Sequence, residues 1–179
     1  MKTARNIVND SLDQRKSFLL EHINKTPGIR YRELLKLSGF SNGVLFHHLT
    51  GLEEAGLLRV ERKQARKTTR YYPSNISEME SAILSSLRHE PLREIILFIL
   101  ENHQCSTSDI VNYTGKAIST VSSHLGQLKQ EEIISTRRST HGFLYSLVNP
   151  ELVANIASKY KLRLIDKSIN NFLDMVEEL

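Results

Sequence analysis

The same hydrophobic pattern occurs twice in this chain, at a constant offset of 76 residues. Residues 41–58 read SNGVLFHHLTGLEEAGLL, and residues 117–134 read AISTVSSHLGQLKQEEII. Each segment carries a His-Leu pair, a Leu three residues later, and two aliphatic residues five and six positions beyond that. The offset also aligns aliphatic positions from residue 19 onward and places Gly39 over Gly115 without a gap. A pattern kept over that length, turn glycine included, indicates two copies of one small folding unit.

Each copy predicts three helices followed by a pair of strands. In the third helix apolar residues recur at steps of three and four, the spacing of an amphipathic helix. Gly39 and Gly115 stand where the second helix must end and the chain must turn. Ser106 with Asp109 predicts a capping box at the start of a helix. The predicted helices cover residues 11–25, 31–37 and a stretch from about 41 in the first copy, then 91–103, 107–113 and a stretch from about 117 in the second; the predicted strands cover 57–63, 69–73, 133–137 and 143–148.

Three helices closed by a β-hairpin form a winged helix-turn-helix, in which the hairpin covers the open side of the helical core. The predicted fold class is therefore mainly α with small β-hairpins (α+β), arranged as two tandem winged helix-turn-helix domains with a linker helix and a C-terminal helical tail. One departure from the repeat is that Gly56 ends the third helix of the first copy, whereas the second copy ends at Glu131 and Glu132 without a glycine. The predicted boundaries are 1–75 for the first domain with a basic wing, 76–90 for the linker helix, 91–149 for the second domain and 150–179 for the tail.

Charge is distributed unevenly between the two copies. Residues 1–75 hold 14 Lys and Arg against 7 Asp and Glu, and the remainder holds 10 against 13. Such asymmetry indicates a polyanionic partner on one part of the molecule. We therefore expect the first domain to supply most of the affinity for that partner.

Composition excludes several other classes of protein. The single cysteine, Cys105, rules out an internal disulfide and a Cys-rich zinc site. No apolar run is long enough to span a membrane, and residues 1–10 lack the apolar core of a signal peptide. A cytoplasmic protein is expected, without a membrane partner.

The outer face of each third helix carries short polar side chains, which suit base edges and phosphates in a major groove. His48 and His124 lie beside a core Leu on the inner stripe, so both are predicted to be buried, hydrogen-bonded core residues. The predicted groove-facing residues are Ser41, Asn42, Gly43, Phe46, His47 and Thr50 in the first copy and Ser119, Thr120, Ser122, Ser123 and Gln127 in the second.

The first hairpin is the most basic segment of the chain. Residues 59–70 read RVERKQARKTTR, with six basic residues and one acid. A basic hairpin beside a groove-binding helix would neutralise phosphates and add affinity without sequence information. This interpretation requires the hairpin to lie clear of acidic side chains of the same molecule. The predicted phosphate contacts are Arg62, Lys63, Arg66, Lys67 and Arg70, with Arg137 and Arg138 (and His141 nearby) in the weaker second wing.

These residues resemble a known family. STVSSHLGQL followed by EEII is similar to the recognition-helix segment of ArsR- and MarR-type winged-helix repressors, and SNGVLFHHLTGLEEAGLL resembles the same segment with a more aromatic outer face. Two such units, over residues 11–149, resemble the tandem winged-helix transcriptional regulators common in archaea. The resemblance implies that Ser119, Thr120, Ser122 and Ser123, like Asn42, Gly43, Phe46 and His47, occupy base-reading positions. Metal-sensing members use Cys and His clusters, and the isolated Cys105 argues against that role.

Three classes of function were weighed. The favoured one is a sequence-specific regulator of transcription that binds double-stranded DNA at a promoter and contacts the transcription machinery. Its C-terminal tail either packs on the second domain, so that one chain binds an asymmetric site alone, or pairs with a second copy of the chain. The alternative is a tandem winged-helix adaptor between proteins, associated with RNA polymerase or scaffolding a complex; Phe46 and Ile118 on the outer helix faces favour it. An enzyme is not expected, because no phosphate-binding loop, zinc spacing or nucleophile–base pair is recognisable. No cofactor and no metal is predicted.

Overall fold

The computed structural model describes residues 4–63, 68–140 and 142–160, with side chains described from residue 14 onward apart from that of Lys63. The chain divides into two compact units, Met1–Ser77 and Glu78–Leu179. Among the described helices, none combines the length and apolar character that crossing a membrane requires.

The first unit is a three-helix body closed by a three-stranded antiparallel sheet in the order β1-β3-β2. Its core joins apolar side chains from all three helices to Ile29, Leu58 and Tyr71 of the sheet. The helical contribution comes from Leu19, Ile23, Leu34, Leu45, Leu49 and Leu52. In order, its elements are α1 (Ala4–Lys25), β1 (Ile29–Arg30), α2 (Tyr31–Ser38), α3 (Asn42–Glu54), β2 (Leu58–Lys63) and β3 (Thr68–Pro73).

The second unit has the same body with one helix added at each end. Its antiparallel sheet has the equivalent order β4-β6-β5. The added helices, α4 and α8, pack against each other and against α5. Its elements are α4 (Glu78–Leu87), α5 (Glu90–Asn102), β4 (Cys105–Ser106), α6 (Thr107–Thr114), α7 (Ile118–Gln130), β5 (Ile134–Ser139), β6 (Gly142–Leu147) and α8 (Pro150–Lys159).

The repeat in the sequence is also a repeat in the structure. β4, α6, α7 and β5 each begin and end 76 residues after β1, α2, α3 and β2. The offset falls to 74 at the last strand, because the hairpin connection spans residues 64–67 in the first unit and 140–141 in the second. The predicted fold class, with two winged helix-turn-helix bodies, is confirmed.

The turns explain why the two bodies match. Gly39 and Gly115 both adopt left-handed backbone, with φ of 64° and 63°, and each amide donates to a carbonyl of the preceding helix. At the end of the third helix Gly56 has φ 67°, and Glu132 at the equivalent position has φ 55°. The second body therefore makes the same turn with a residue that left-handed backbone disfavours.

Several boundaries differ from the sequence predictions. The region predicted as one linker helix over 76–90 contains the end of α4 at Leu87 and the start of α5 at Glu90. The two-residue strands β1 and β4 were not predicted, since two residues show no alternation of apolar and polar positions. The described part of the C-terminal tail, α8, buries Val153 and Ile156 in the second unit. The predicted helical continuation over 161–179 lies outside the described residues.

Candidate nucleic-acid interface

In the first unit, α3 separates a buried stripe from an exposed polar face. Leu45, His48, Leu49 and Leu52 are buried, which commits one side of the helix to the core. The opposite side exposes Ser41, Asn42, Gly43, Phe46 and His47, and Thr50 is half-buried. All six predicted groove-facing residues therefore lie away from the core.

The start of α3 is held by a residue that the sequence did not single out. The Tyr31 hydroxyl lies 2.9 Å from both the backbone oxygen and Oδ1 of Asn42. The amide nitrogen of the Asn42 side chain makes no hydrogen bond among the described residues. Ser41 occupies the position before the helix, yet its side chain makes no capping hydrogen bond. Capping therefore does not account for Ser41, and Tyr31 fixes the Asn42 oxygen while leaving its NH₂ group to another acceptor.

In the second unit, α7 repeats this division with smaller side chains. Val121, Leu125 and Leu128 are buried. Ser119, Thr120, Ser122 and Ser123 are exposed and Gln127 is half-buried, with its amide nitrogen 3.4 Å from Glu131 Oε1. Four small hydroxyl side chains within five residues allow close approach of the helix to another surface.

The prediction of burial is confirmed for His48 and half met for His124, whereas the predicted hydrogen bonding is not found at Nδ1 of His48 within the described part of the chain. His48 is 2% exposed, beside the rings of Phe40 and His47, and its Nδ1 has no hydrogen-bond partner among the described residues. Burial, and then the nearby positive charge of His47, Arg15 and Lys16, lowers the pKa of His48. His124 is half-buried, with its ring 5.9 Å from that of His89.

The first wing differs from its prediction at two basic residues. Arg62 donates two hydrogen bonds to Glu53 near the end of α3, from Nη1 to Oε1 at 2.7 Å and from Nη2 to Oε2 at 2.6 Å. The expectation that the wing lies clear of acidic side chains is therefore wrong for Arg62. The pair lowers the pKa of Glu53 and raises that of Arg62.

Arg70 is not a surface residue. Its side chain is 7% exposed and Nη1 donates to the carbonyl oxygen of Gly28 at 2.7 Å. β3 is the central strand, with Arg70 opposite Arg30 on one side and Glu61 on the other, so its side chain is enclosed. Burial lowers the pKa of Arg70. Its predicted role as a phosphate contact is corrected: it supports the sheet.

The remaining basic residues of the first wing fall into two groups. Arg59 lies over the Tyr72 ring at 5.4 Å and donates to the backbone oxygen of Ser77 at 3.4 Å. Arg66 and Lys67 lie outside the described residues, as does the side chain of Lys63. Their predicted phosphate contacts stay predictions.

The second wing carries exposed cations. Arg137 and Arg138 are both exposed on β5, and neither has an ion pair within the described part of the chain. The predicted neighbour His141 lies outside the described residues. The described residues contain no group of three or more His, Cys, Asp or Glu able to hold a metal ion. Cys105 is buried, which raises the pKa of its thiol.

Comparisons with known proteins match both halves of the chain. A family model described as an N-terminal HTH domain matches residues 13–84, and one described as bacterial regulatory protein, arsR family, matches residues 90–136. The HTH-type transcriptional regulator YgaV of Escherichia coli (strain K12) is 31% identical over 83 residues, which are 46% of this chain and 83% of that protein.

Solved structures similar to this chain include two further proteins. HlyU from Vibrio cholerae N16961 is 23% identical with a TM-score of 0.42, over 47% of this chain and 90% of that one. The transcriptional repressor BigR from Xylella fastidiosa is 22% identical with a TM-score of 0.41, over 46% of this chain and 83% of that one. The two family models and the relative YgaV show that the chain belongs to the helix-turn-helix transcriptional regulators. It carries two tandem HTH domains, the second of the ArsR family.

Proposed function

We propose that the protein is a sequence-specific transcription regulator that binds double-stranded DNA with α3 and α7 as its recognition helices and without enzymatic activity. The observation that carries the proposal is that both third helices bury one stripe and expose a polar face on the same three-helix body. Membership of a family of transcriptional regulators supports the same conclusion. A helix of this kind suits a groove about 12 Å wide, because its base-facing side is free of core contacts.

The polar faces differ in a way that bears on specificity. On α3, Asn42 and His47 offer amide and imidazole groups that hydrogen-bond to base edges, and Phe46 suits apolar contact with a thymine methyl group. On α7 four of the five predicted contacts are hydroxyls, which bond to bases and phosphates alike, and the amide of the fifth, Gln127, lies 3.4 Å from Glu131. We therefore assign most of the sequence discrimination to α3, the helix with the larger and more directional side chains.

The electrostatic part of the proposal rests on the wings. Lys63, Arg66 and Lys67 are proposed to contact phosphates beside α3, and Arg137 and Arg138 to do so beside α7. Arg62 is left out of these proposed contacts, because its guanidinium already donates two hydrogen bonds to the Glu53 carboxylate.

Binding to selected and scrambled DNA tests the proposal. Duplexes selected by the protein from a random pool should bind at least about a thousandfold more tightly than scrambled duplexes of the same composition. Replacing Lys63, Arg66 and Lys67 with Ala should reduce the slope of log affinity against log salt by up to about 0.9 per lost phosphate contact. Equal affinity for selected and scrambled duplexes would contradict a sequence-specific regulator, and an unchanged slope would remove the first wing from the phosphates.

The length of the protected DNA tests the proposed domain organisation. Two DNA-binding domains, 1–75 and 91–149, joined by 76–90, should protect one asymmetric site per chain. Pairing of two chains through the tail, 150–179, should protect a longer, roughly palindromic site. Footprints of the selected duplexes, with sedimentation of the complex, distinguish these arrangements and show whether the tail is left to contact the transcription machinery.

A second candidate function, an adaptor between proteins, is favoured by one observation. Phe46 and Ile118 are each 65% exposed at the outer faces of α3 and α7. An adaptor would use these side chains as apolar anchors, and Phe46→Ser would then weaken a protein complex while DNA binding stayed absent or non-specific. The selected-duplex experiment separates the two functions, because an adaptor shows no preference for any selected sequence.

A further inference from the structure

One pair of equivalent positions carries opposite charges in the first unit and like charges in the second. In the first unit Glu53, in the last turn of α3, receives two hydrogen bonds from Arg62 of β2. The residues 76 positions later are Lys129 and Arg138. An acid–base pair in one unit is therefore replaced by two bases in the other.

The backbones around these positions are equivalent. α3 and α7 have the same length, and Glu53 and Lys129 are each the last residue but one. Arg62 and Arg138 are each the fifth residue of a six-residue strand.

The connection between helix and strand is also the same in both units. The amides of Leu57 and Ile133 donate to Leu52 and Leu128 at 3.0 and 2.9 Å. The left-handed residue before each amide has a similar φ, 67° in the first unit and 55° in the second. Helix, turn and strand thus correspond residue by residue in the two units. We therefore expect the side chains of Lys129 and Arg138 to leave the backbone at positions equivalent to those of Glu53 and Arg62.

Lys129 and Arg138 are both exposed, and neither forms an ion pair with any described residue. The nearest carboxylates along the chain are those of Glu131 and Glu132. Glu131 Oε2 accepts a hydrogen bond from Ser86 of α4 at 2.7 Å, so it is engaged elsewhere. Glu132 is exposed and has no ion pair in the described part of the chain. In the positions of Glu53 and Arg62, Lys129 and Arg138 would bring two positive charges together, which repel each other and favour an external anion.

We propose that Lys129 and Arg138 form a phosphate-binding site on the second unit, and that Glu53 closes the equivalent site on the first unit. The inference rests on the proposed function, in which the anion is a phosphate of the DNA backbone. Arg138 supplies the planar fork that binds two phosphate oxygens, and Lys129 supplies a compact charge beside it. Lys129 also lies at the C-terminal end of α7, where the helix dipole favours a cation, whereas Glu53 at the same end of α3 is held by Arg62.

The charges at this position do not follow the net charges of the two units. The first unit has the larger basic excess, yet this position in it is neutralised internally. The second unit has an overall acidic sequence, yet it offers an open pair of cations beside its third helix. Contact with the DNA backbone at this position should therefore come from the second unit alone.

Opposite charge changes at the two positions test the proposal. In the full chain Lys129→Glu should close the second site with an internal pair, lowering affinity for a selected duplex about three- to tenfold and the salt slope by about 0.9–1.8. Glu53→Lys should open the first site and change both quantities in the other direction. Lys159→Glu is the matched control, because it reverses an exposed lysine in the last turn of another helix of the same unit.

The affinities of the Lys129 variants distinguish loss of a phosphate contact from a general effect of surface charge. Lys129→Gln, which removes the charge without creating a pair, should give a smaller loss than Lys129→Glu, and hydrogen exchange should show that both variants stay folded. Equal affinities for Lys129→Glu and Lys159→Glu in a protein that binds DNA would overturn this inference and leave the proposed function standing. A wild-type chain with no salt-dependent binding to the selected duplex would overturn both.

Discussion

Introducing a glycine into the turn after α7 should stabilise the second unit, and removing the glycine from the turn after α3 should destabilise the first. Gly56 and Glu132 hold equivalent positions after the third helix, both with left-handed backbone. The Gly56 amide donates to Glu53 at 2.9 Å and the Glu132 amide to Lys129 at 3.1 Å, so the turn is the same. The variants are Glu132→Gly and Gly56→Ala.

The magnitude follows from the backbone alone. A Cβ added at Gly56 meets no atom within 4 Å, so Gly56→Ala introduces no steric clash with the rest of the unit. Left-handed backbone costs a residue with a Cβ roughly 1–2 kcal/mol. Glycine avoids this cost, but it loses more conformational freedom on folding, which offsets about 0.5–1 kcal/mol of the gain in stability. Glu132→Gly should therefore stabilise the second unit by about 1 kcal/mol, and Gly56→Ala should destabilise the first by about the same.

Hydrogen exchange measured by mass spectrometry assigns each change to its unit. Glu132→Gly should slow exchange in peptides from α7 and β5 about fivefold, which corresponds to about 1 kcal/mol. Glu132→Gln serves as the control for lost charge, since it keeps the strained backbone and should leave exchange unchanged. If Glu132→Gln slows exchange as much as Glu132→Gly, charge rather than backbone strain explains the effect and the argument fails.

Three further predictions concern the first unit. Arg70→Met should lower the free energy of unfolding by about 1–3 kcal/mol, because it leaves the Gly28 carbonyl without its donor; the salt slope of DNA binding should not change, and a reduced slope with unchanged stability would restore Arg70 as a phosphate contact. Gly28→Ala should destabilise the unit by about 1–3 kcal/mol, since φ is +76° and the new Cβ would lie 3.0 Å from Tyr72 Cε1; denaturant unfolding as stable as wild type would contradict this. Burial lowers the pKa of His48 from 6.5, so below pH 6.5 the unfolded chain binds a proton that the folded chain does not, and stability falls as the pH falls. His48→Leu should reduce this pH dependence of the free energy of unfolding below pH 6.5. An unchanged dependence would assign it to another group.

The repeat carried more information than any single motif. The offset of 76 predicted two copies of a three-helix body with a hairpin, and helix, turn and strand boundaries keep that offset from β1 to β2. Such prediction works because apolar spacing and turn glycines act locally, within the reach of a few residues along the chain. The same local pattern placed all the groove-facing candidates of α3 and α7 on the side away from the core.

The wing shows where local patterns stop being sufficient. Residues 59–70 form one basic run in the sequence, yet Arg59, Arg62 and Arg70 have three different environments: an aromatic ring, a carboxylate and the interior of the sheet. The strand register and the neighbouring helix determine the environment of each arginine, and both depend on residues outside the basic run.

The sequence by itself determined the folding unit, its duplication and the polar faces of the third helices, because these follow from hydrophobic spacing between near neighbours. Only the tertiary structure decided which charges are available. Glu53 meets Arg62 across a helix and a strand, and Gly28 meets Arg70 at a separation of 42 residues. Contacts between residues of different elements leave no periodic pattern in the sequence, so composition counts the charges without showing which of them are already paired.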